Sequence, residues 1–418
     1  TAAPQTARTT MTCTDNSLML GFSAPLYRHG GRLYAERQTI SGLHAWKENF
    51  SRLVAFAICH DAPPPEGWED AAEGGLTEPG IKLVPIPNTY DLKILFSQRK
   101  ALSKTMLQMM RETHYHSFAY GGWLGDPGEI AAAIARRHGI AHAVWFDRVE
   151  SQVVKAEGDS SLKGRLKTAL KMAIMERNEK RAVRGAQLSL LHGATVFNHF
   201  KPIARNPHQV EDIHFNADDR LTQGEVSAKA QGAASGPLRI VYCGRAAPMK
   251  GPLEWVAALV ALKARGVSFK ARWLGDGELL GAMRTAAEKA GLTQEELVFE
   301  GFVSDPDRVR AAYRDAQLLM FCHLSDESPR NLIESLHSAT PLIGYKDPYS
   351  AGLIDEKGAG LLVPRGNPEA LADTIAGLDA NRGVLATLIR AAGASAEHLT
   401  RDSVFRHRSD VIRSQLAA

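Results

Sequence analysis

Short apolar runs alternate with amphipathic segments along the first half of this 418-residue chain. The apolar runs predict strands, and the segments between them have the residue spacing of helices. The predicted strands are Leu18–Phe22, Leu53–Cys59, Ile81–Ile86, Ser117–Tyr120 and Ala143–Phe146, and helices are predicted from about Arg32 and over Leu95–Arg111 and Ile130–Arg137. Alternation of this kind is typical of parallel sheets with crossover helices.

The second half repeats this alternation more regularly. Each apolar run again predicts a strand, and most are followed by an amphipathic segment that predicts a helix. The predicted strands are Leu238–Cys243, Phe269–Leu274, Leu297–Phe299, Leu318–Phe321, Pro341–Gly344 and Gly360–Val363, and the predicted helices are Pro252–Lys263, Leu279–Ala290, Pro306–Asp315, Leu332–Ser338 and Pro368–Leu378. The pattern predicts an α/β fold with a doubly wound sheet, whose ligands bind beyond the carboxyl ends of the strands.

Chain length and one polar segment divide the sequence into two domains. A chain of 418 residues exceeds what one hydrophobic core usually holds. Residues 222–236 have little apolar content and are predicted to link an N-terminal domain, residues 17–221, to a C-terminal domain, residues 237–395. Residues 1–16, rich in Thr and Ala, are predicted to be a disordered leader.

Composition argues against several classes of protein. The hydrophobic fraction of 44% is ordinary for a globular chain, and no uncharged apolar run reaches the ~20 residues that span a bilayer. The four cysteines, Cys13, Cys59, Cys243 and Cys322, are too scattered to predict a disulfide framework or a zinc site. A reducing cytoplasmic location is the simplest expectation.

Positive charge is concentrated in one predicted helix. Residues 163–184 contain eight Lys or Arg and two Glu, a net charge of +6, whereas the whole chain has +4. Leu162, Leu166 and Leu170 recur at helical spacing, so this helix is basic and amphipathic. Two interpretations stay open: a solvated helix with its apolar stripe in the core, or a contact with anionic lipid or an anionic acceptor. No nucleic-acid-binding module is recognisable.

The loop from Gly244 to Gly251 brings two cations to the end of a predicted strand. Arg245 offers a planar fork for phosphate oxygens, and Lys250 offers a mobile point charge. A diphosphate ligand explains both residues, and the alternative is a pair of solvated surface cations.

The next two predicted strands end in glycine. Gly275-Asp276-Gly277 follows one strand and Gly301 follows the other. Because glycine allows close approach to the backbone, we expect a ligand ring to lie against Phe302 and Val303.

Two carboxylates, Asp326 and Glu334, lie eight residues apart across a Ser-Pro-Arg-Asn turn that is expected to open a helix. A helix N-terminus has unpaired N–H groups, and its dipole favours an anion such as phosphate. Flanking carboxylates accept hydrogen bonds from sugar hydroxyls, so the run suits a nucleotide-sugar. The alternative is that Ser325 or Asp326 only caps the helix.

Taken in order, these loops resemble the donor half of the retaining GT-B glycosyltransferases of family 4, also called glycosyl transferases group 1. The family signature is a Gly-Arg…Lys-Gly loop followed by Glu-x7-Glu. The resemblance extends from about Leu238 to Leu378 and, more weakly, to the Gly30-Gly31 loop. It implies that Arg245 and Lys250 bind the donor diphosphate. The remaining donor-binding residues that it implies are Gly30, Gly31, Gly244, Gly277, Phe302, Val303, Glu327, Ser328, Asn331, Leu332 and Glu334.

Within that resemblance, Glu334 is expected to hold the ribose, the N–H groups near Asn331 and Leu332 to meet phosphate, and Asp326 to contact the transferred sugar. The family usually has Glu at the first position of the pair, whereas the eight-residue spacing here falls on Asp326. Glu327 is one residue out of register. We favour Asp326, and a shifted turn that brings in Glu327 is the alternative.

The acceptor half carries less information. The family places a polar residue, often His, just after a central strand of the first domain. Asp147 follows the predicted strand Ala143–Phe146, so Asp147 is the catalytic candidate, with Glu150 second. A carboxylate there would orient sugar hydroxyls or stabilise an oxocarbenium-like transition state. Alternatively, Asp147 caps the next helix.

Asp305-Pro306-Asp307 matches the Asp-x-Asp metal motif of the other glycosyltransferase fold. It is also a complete helix-start sequence, with an N-cap, a proline at the first helical position and an acid in the first turn. We therefore predict no metal site and no cofactor.

The sequence thus predicts two Rossmann-like domains facing a central cleft, the GT-B arrangement, with residues 396–418 packing back on the N-terminal domain, as the resemblance implies. The predicted activity is retaining, metal-independent transfer of a hexose-like sugar (EC 2.4). The donor is a nucleotide-diphosphate sugar and the acceptor a saccharide or lipid-linked molecule, in bacterial polysaccharide or glycolipid biosynthesis. The predicted location is cytoplasmic, with peripheral contact to the inner face of the membrane through Lys163–Arg184 as a further hypothesis. The alternatives are a GT-B epimerase and a non-catalytic nucleotide-sugar-binding subunit.

Overall fold

The structure is a computed structural model that describes residues 16–121, 123–156, 162–355 and 357–416. The chain forms two compact units. Unit 1 comprises Thr1–Trp145, Arg177–Ser189 and Ser409–Ala418, and unit 2 comprises Phe146–Glu176 and Leu190–Arg408. This division differs from the predicted boundary near residue 221, because residues 190–221 make their contacts mainly within unit 2.

Unit 1 is built on a mainly parallel sheet. Its strands are β1 (Ser17–Gly21), β2 (Leu26–His29), β3 (Arg32–Glu36), β4 (Arg52–His60), β5 (Trp68–Asp70), β6 (Ile81–Ile86), β7 (Tyr115–Ala119) and β8 (Ala143–Phe146, ending one residue into unit 2), and its helices are α1 (Arg37–Asn49), α2 (Leu92–Arg111) and α3 (Pro127–Arg137). Parallel pairing runs in the order β8-β7-β1-β4-β6. Leu18, Val54, Phe56 and Phe118 are buried in this sheet, as expected of strands covered on both faces.

The predicted helix from about Arg32 is wrong, since that segment is strand β3 and the helix begins at Arg37. Strands β2 and β3 form an antiparallel hairpin in which Tyr27 pairs with Tyr34. Gly30 and Gly31 make its two-residue turn, with φ of 57° and 77°. Two successive residues with positive φ are the conformation that a tight hairpin turn requires.

Unit 2 contains a fully parallel six-stranded sheet in the order β13-β12-β11-β14-β15-β16. Its strands are β11 (Leu238–Cys243), β12 (Phe269–Leu274), β13 (Leu297–Gly301), β14 (Leu318–Phe321), β15 (Leu342–Tyr345) and β16 (Gly360–Val363). The helices around them are α8 (Pro252–Ala264), α9 (Leu280–Lys289), α10 (Pro306–Asp315), α11 (Arg330–His337), α12 (Pro348–Asp355), α13 (Pro368–Ala380) and α14 (Arg382–Gly393). The doubly wound sheet predicted for this half is confirmed.

Other elements precede this sheet or connect the two units along the chain. They are α4 (Glu150–Ala156), α5 (Leu162–Gly185), β9 (Leu188–His192), α6 (Gly193–Phe200), β10 (Pro207–Val210), α7 (Gln223–Gly232) and α15 (Arg401–Leu416). In the part of α5 whose side chains are described, Leu166 and Leu170 are 75% and 64% exposed. The apolar positions of this basic helix are therefore not all buried in a core.

The predicted linker, residues 222–236, contains helix α7. Its start is a capping box, in which Thr222 and Glu225 each bond the backbone of the other, and Val226 and Ala230 are buried. The segment was predicted to be a linker because of its polar composition, although a Thr followed three residues later by Glu is a helix-start pattern.

The last helix ends within unit 1. There the Arg413 guanidinium donates to the Asn49 carbonyl at 2.6 Å and lies over the Phe50 ring. The predicted leader lies outside the described residues except for Asn16, whose carbonyl accepts from the Ser51 N–H. Among the described residues, no helix has the length and apolar character needed to cross a bilayer.

Candidate functional site

The sheet of unit 2 has a topological switch point between β11 and β14, where the strand order reverses. Loops that leave two such strands run in opposite directions and open a crevice at the carboxyl edge, the usual ligand position in doubly wound folds. The loop that follows β11 contains Arg245 and Lys250, and the loop that follows β14 contains Asp326 and Glu327. The two motifs singled out in the sequence therefore flank the switch point.

Backbone hydrogen bonds join the loops at this edge. The N–H of Gly244 donates to Leu274, that of Ala246 to Asp276, and that of Gly275 to Gly301, at 2.7 to 2.9 Å. A Cβ at Gly277 would lie 2.7 Å from the Ala246 carbonyl oxygen. Gly277 thus allows the loops after β11 and β12 to pack backbone against backbone.

Lys250 and Glu327 form an ion pair across the switch point, with Nζ and Oε2 2.6 Å apart. Both side chains are largely buried, at 13% and 16% exposed. Burial raises the pKa of Glu327, although Lys250 and Arg245 oppose that effect. The other Glu327 oxygen lies 3.6 Å from Nδ1 of the buried His323. A cation and a carboxylate are thus fixed side by side where the diphosphate was predicted.

Asp326 has a different partner. Its side chain is 44% exposed and pairs with Arg365, which follows β16. The alternative left open by the sequence, a turn that brings in Glu327 rather than Asp326, agrees better with this arrangement. Arg245 is exposed at the same edge.

Glu334 lies on α11, where the Tyr313 hydroxyl donates to its Oε2 at 3.4 Å. Burial raises the pKa of the carboxyl group, and Arg330, His214 and the Tyr313 bond lower it in part. A half-buried carboxylate that accepts from Tyr313 is suited to accept further hydrogen bonds from hydroxyl groups of a ligand.

The first turn of α11 is tied to the sheet. The Asn331 side chain donates to the Cys243 carbonyl at the end of β11, at 2.7 Å. Leu332 is fully buried, and its N–H donates to the Pro329 carbonyl at 3.2 Å. The Leu332 amide is therefore engaged within the turn in this structure. At the next strand end, Phe302 is 59% exposed and Val303 is half-buried.

A second polar cluster in unit 2 is centred on His192, which the sequence analysis did not identify. His192 Nδ1 lies 2.8 Å from Asp147 Oδ1, and Nε2 lies 3.5 Å from Glu211 Oε2. Burial favours the neutral imidazole, but the two carboxylates outweigh this and raise the pKa of His192 to about 10. The imidazole is thus a buried cation between two anions.

His192 follows the apolar run Leu188–Leu191 in the same way that Asp147 follows Ala143–Phe146. A search for polar residues after every strand would have found it. Glu211 follows β10, whose sequence Pro-His-Gln-Val is not an apolar run and so does not predict a strand. Its partner Tyr349, whose hydroxyl donates to Glu211 Oε2 at 3.3 Å, lies within α12.

The His192 cluster adjoins the Ser-Pro-Arg-Asn turn. Gly193, the first residue of α6, has φ of 65°, and a Cβ there would overlap Ser328 Oγ and lie 3.5 Å from the Tyr349 ring. Ser328 Oγ is buried and has no hydrogen-bond partner among the described residues. The predicted donor turn and the predicted catalytic Asp147 thus belong to neighbouring parts of unit 2.

The structure also accounts for the remaining candidates. Gly30 and Gly31 form the hairpin turn of unit 1, so both have a structural role whether or not they contact a ligand. Asp305 caps α10 by accepting from the Asp307 N–H at 2.9 Å, which is the predicted helix start. In the described ranges, no group of three or more His, Cys, Asp or Glu side chains is arranged to hold a metal ion.

Residues 225–393, which contain the whole six-stranded sheet, match the family model of the glycosyl transferases group 1. The match begins within α7 and ends with α14. A comparison with curated protein sequences gave no match.

Several solved structures share the fold over nearly the full chain. HepE of Anabaena in complex with UDP has a TM-score of 0.65 at 16% identity, covering 96% of this chain and 99% of that one. Sucrose-phosphate synthase of Thermosynechococcus elongatus has 0.67 at 14%, with 96% and 99% covered. WaaG, a glycosyltransferase involved in lipopolysaccharide biosynthesis, has 0.64 at 12%, with 94% and 99% covered. The predicted α/β fold with two parallel sheets, of the GT-B type, is confirmed.

Proposed function

We propose that this protein is a retaining glycosyltransferase of family 4, which transfers a sugar from a nucleotide-diphosphate sugar to a saccharide or lipid-linked acceptor. The observation that carries the proposal is the convergence of Lys250, Glu327 and Glu334 at the switch point of the sheet in unit 2. The match of residues 225–393 to the glycosyl transferases group 1 supports it.

In the proposed mechanism, the cations of the loop after β11 act on the leaving group. The bond between the anomeric carbon and the diphosphate oxygen breaks, and Lys250 and Arg245 stabilise the negative charge that develops on the diphosphate. The acceptor oxygen bonds to the anomeric carbon on the same face, and its proton passes to an oxygen of the departing phosphate. The Lys250–Glu327 pair keeps the lysine in place before the donor binds.

Metal independence is part of the proposal. Two side-chain cations at one loop supply the charge stabilisation that a divalent ion supplies in many phosphate-transfer sites. We expect turnover to persist in excess EDTA. A requirement for added Mg²⁺ or Mn²⁺ would contradict this part of the proposal.

For the donor, we propose a uridine diphosphate hexose as the first compound to test. HepE of Anabaena has been solved in complex with UDP-glucose, and its fold covers this chain almost completely. Glu334 is the proposed acceptor for the ribose hydroxyls, and Phe302 and Val303 would border the base.

The decisive experiment is a thermal-shift panel with UDP, GDP, ADP and their sugars. We expect one nucleotide to raise the melting temperature, Glu334→Ala to abolish that shift, and Arg245→Ala to weaken it. Arg390→Ala, which removes an exposed arginine on α14, serves as the control. If none of the nucleotides stabilises the protein, the proposed function is wrong. Retention is tested on the product by the NMR coupling constant of the anomeric proton.

A lipid-linked acceptor, and with it a role in bacterial polysaccharide or glycolipid biosynthesis, is supported by α5. Exposed Leu166 and Leu170 lie on a helix that also carries Lys167 and Lys171, the combination that favours an anionic bilayer surface. We expect flotation with phosphatidylglycerol vesicles but not with phosphatidylcholine vesicles. Leu166→Ser with Leu170→Ser is expected to weaken it, and absence of flotation would remove the membrane part of the proposal and the peripheral cytoplasmic location.

An epimerase is the second candidate, because the His192 cluster supplies the carboxylates and histidine that interconversion of a nucleotide-sugar requires. Against it, both ring nitrogens of His192 face a carboxylate, so the imidazole is poorly placed to exchange protons with a ligand. Incubation with UDP-N-acetylglucosamine without an acceptor distinguishes an epimerase from a transferase, since only an epimerase would form the epimer of the sugar. A non-catalytic binding subunit would bind the donor and release no nucleotide with any acceptor.

A further inference from the structure

His192 is a buried histidine with a carboxylate near each of its ring nitrogens. It is 3% exposed and precedes the first residue of α6 without capping that helix through its side chain. Its two ring nitrogens face Asp147 and Glu211 instead. The Asp147 side chain, in contrast, is 58% exposed. A buried cation thus holds one oxygen of an accessible carboxylate.

Other charged groups reinforce this arrangement. Asp212 lies next to Glu211 in the chain and pairs with Arg408 at 3.1 Å and with Arg330 at 3.7 Å. The charges of Arg330 and Arg408 favour the ionised form of Asp147, and that of Asp212 opposes it. Tyr349 donates to Glu211. The cluster therefore contains a carboxylate for each of its buried cations.

The consequence for Asp147 is a lowered pKa. Desolvation of the carboxylate raises the pKa of Asp147. The hydrogen bond and the charge of His192 outweigh that effect, so the net shift of the pKa is downward. Without the imidazolium, burial and the charge of Asp212 would both act to raise that pKa.

We propose that His192 is a positioning residue that orients the Asp147 carboxylate toward the donor sugar. In that position, Asp147 accepts a hydrogen bond from a sugar hydroxyl or stabilises positive charge that develops at the anomeric carbon. This inference rests on the proposed glycosyl transfer.

The contact of Gly193 with Ser328 supports the assignment. The residue after His192 packs against the turn that is expected to bind the donor, at a distance that leaves no room for a Cβ. The backbone that carries the imidazole is thereby held in place by the donor turn itself. The Asp147 carboxylate thus has a defined position relative to that turn within unit 2.

The first test does not depend on activity. In ¹H–¹⁵N spectra of the intact protein without ligand, His192 is assigned by the resonance missing from His192→Gln, with His138→Gln, an exposed histidine, as the control variant. We expect the His192 ring to stay protonated well above the ordinary histidine pKa of about 6.5, and Asp147→Asn to lower its pKa. A wild-type His192 that titrates near the ordinary value would overturn the inference.

The second test uses turnover of UDP-glucose, measured as release of UDP. For His192→Gln we expect kcat to fall roughly tenfold to hundredfold with little change in KM for the donor, as for a displaced catalytic group. We also expect the acid limb of kcat/KM to move to higher pH. An unchanged kcat and an unchanged acid limb would each contradict the inference.

The outcomes separate the two proposals. If the wild-type protein neither binds nor turns over any nucleotide-sugar, the proposed function fails, and with it the catalytic role given to His192. If the wild type is active and His192→Gln equals it in kcat and pH profile, only the inference on His192 fails. Should His192→Gln not fold, the His192 resonance is assigned as the histidine signal that shifts in Asp147→Asn, a change at an exposed side chain, and the titration test stays the same.

Discussion

Two polar clusters of unit 2 differ in both charge and origin. At the switch point, Lys250 and Arg245 accompany Glu327, which leaves an excess of one positive charge. In the other cluster, the buried His192 imidazole lies between the carboxylates of Asp147 and Glu211, and the exposed charged group is the Asp147 carboxylate. The first suits an anionic diphosphate, and the second suits a sugar that acquires positive charge in the transition state. Under the proposed function, these two clusters, which adjoin the same turn, have complementary tasks.

The clusters also differ in how the chain forms them. The switch-point cluster comes from two loops that each carry a continuous motif, whereas the His192 cluster takes residues from three segments without one. The residues that we propose to bind the phosphate therefore belong to local sequence motifs, and those that we propose to contact the sugar do not. Five substitutions in four experiments test this contrast, and they are described from the largest expected effect on catalysis or binding to the smallest, with a test of stability last.

The largest effect is expected from Lys250→Met. It removes the cation nearest the departing diphosphate and leaves Glu327 buried without its partner. Loss of one group that stabilises transition-state charge costs roughly 10²- to 10³-fold in kcat. The loss in kcat is measured by steady-state kinetics of UDP release. Lys270→Met, at the amino end of β12 and exposed, is the matched control, and equal loss in both variants would contradict a specific role.

Glu334→Gln tests the predicted ribose contact. Loss of charge-assisted hydrogen bonds from ribose hydroxyls is expected to weaken nucleotide binding roughly tenfold to hundredfold, as measured by calorimetry. Because burial raises the pKa of Glu334, the folded protein gains stability as pH falls through that pKa and loses it above. Glutamine avoids that loss, so the ligand-free variant is expected to melt higher at neutral pH. A lower melting temperature with normal affinity would refute both expectations.

Charge neutralisation at Asp326 and at Glu327 distinguishes the two candidates for the sugar contact. Glu327→Gln weakens the pairing of Lys250 across the switch point and is expected to lower kcat/KM by about tenfold. Asp326→Asn changes an exposed pair with Arg365, and such pairs contribute about 0–1 kcal/mol. Each variant is the control for the other. A larger loss in Asp326→Asn would restore the assignment first drawn from motif spacing.

The last substitution, Gly193→Ala, is measured through stability and tests the contact between the two clusters. A non-glycine residue at φ of 65° costs about 1 kcal/mol, and its Cβ would also meet Ser328 Oγ. Gly266→Ala, with φ of 76° and open space around it, has the backbone strain alone. Denaturant unfolding is expected to show a greater loss for Gly193→Ala. Equal losses of unfolding free energy in the two variants would mean that the turn at Ser328 accommodates the added methyl group without a loss of stability.

Sequence reasoning was most accurate where local pattern and tertiary role coincide. Strands β11, β12, β14 and β16 have the predicted bounds, because buried parallel strands are short apolar runs between helices. It failed at the β2–β3 hairpin and at α7, where a pair of glycines and a capping box decide the structure within a few polar residues.

The residues of the candidate site also fall into two groups: those that a sequence pattern indicated and those that only the structure showed. Lys250 and Glu334 could be singled out because phosphate and ribose recognition uses residues at fixed positions after a strand or at a helix start. Glu327, as the partner of Lys250, could not be chosen over Asp326, since the direction of a side chain in an irregular turn depends on what packs against it. Glu211 and Tyr349 became visible only through their contacts with His192 and with each other.

The sequence by itself therefore determined the fold class, the loops of the switch point and the chemistry expected there, because periodicity and strand-end motifs are local properties of the chain. Only the tertiary structure decided which carboxylate pairs with Lys250 and that a buried imidazolium holds Asp147. Those outcomes depend on distances between segments more than forty residues apart in the chain, and on the desolvation and charge that each group meets after packing.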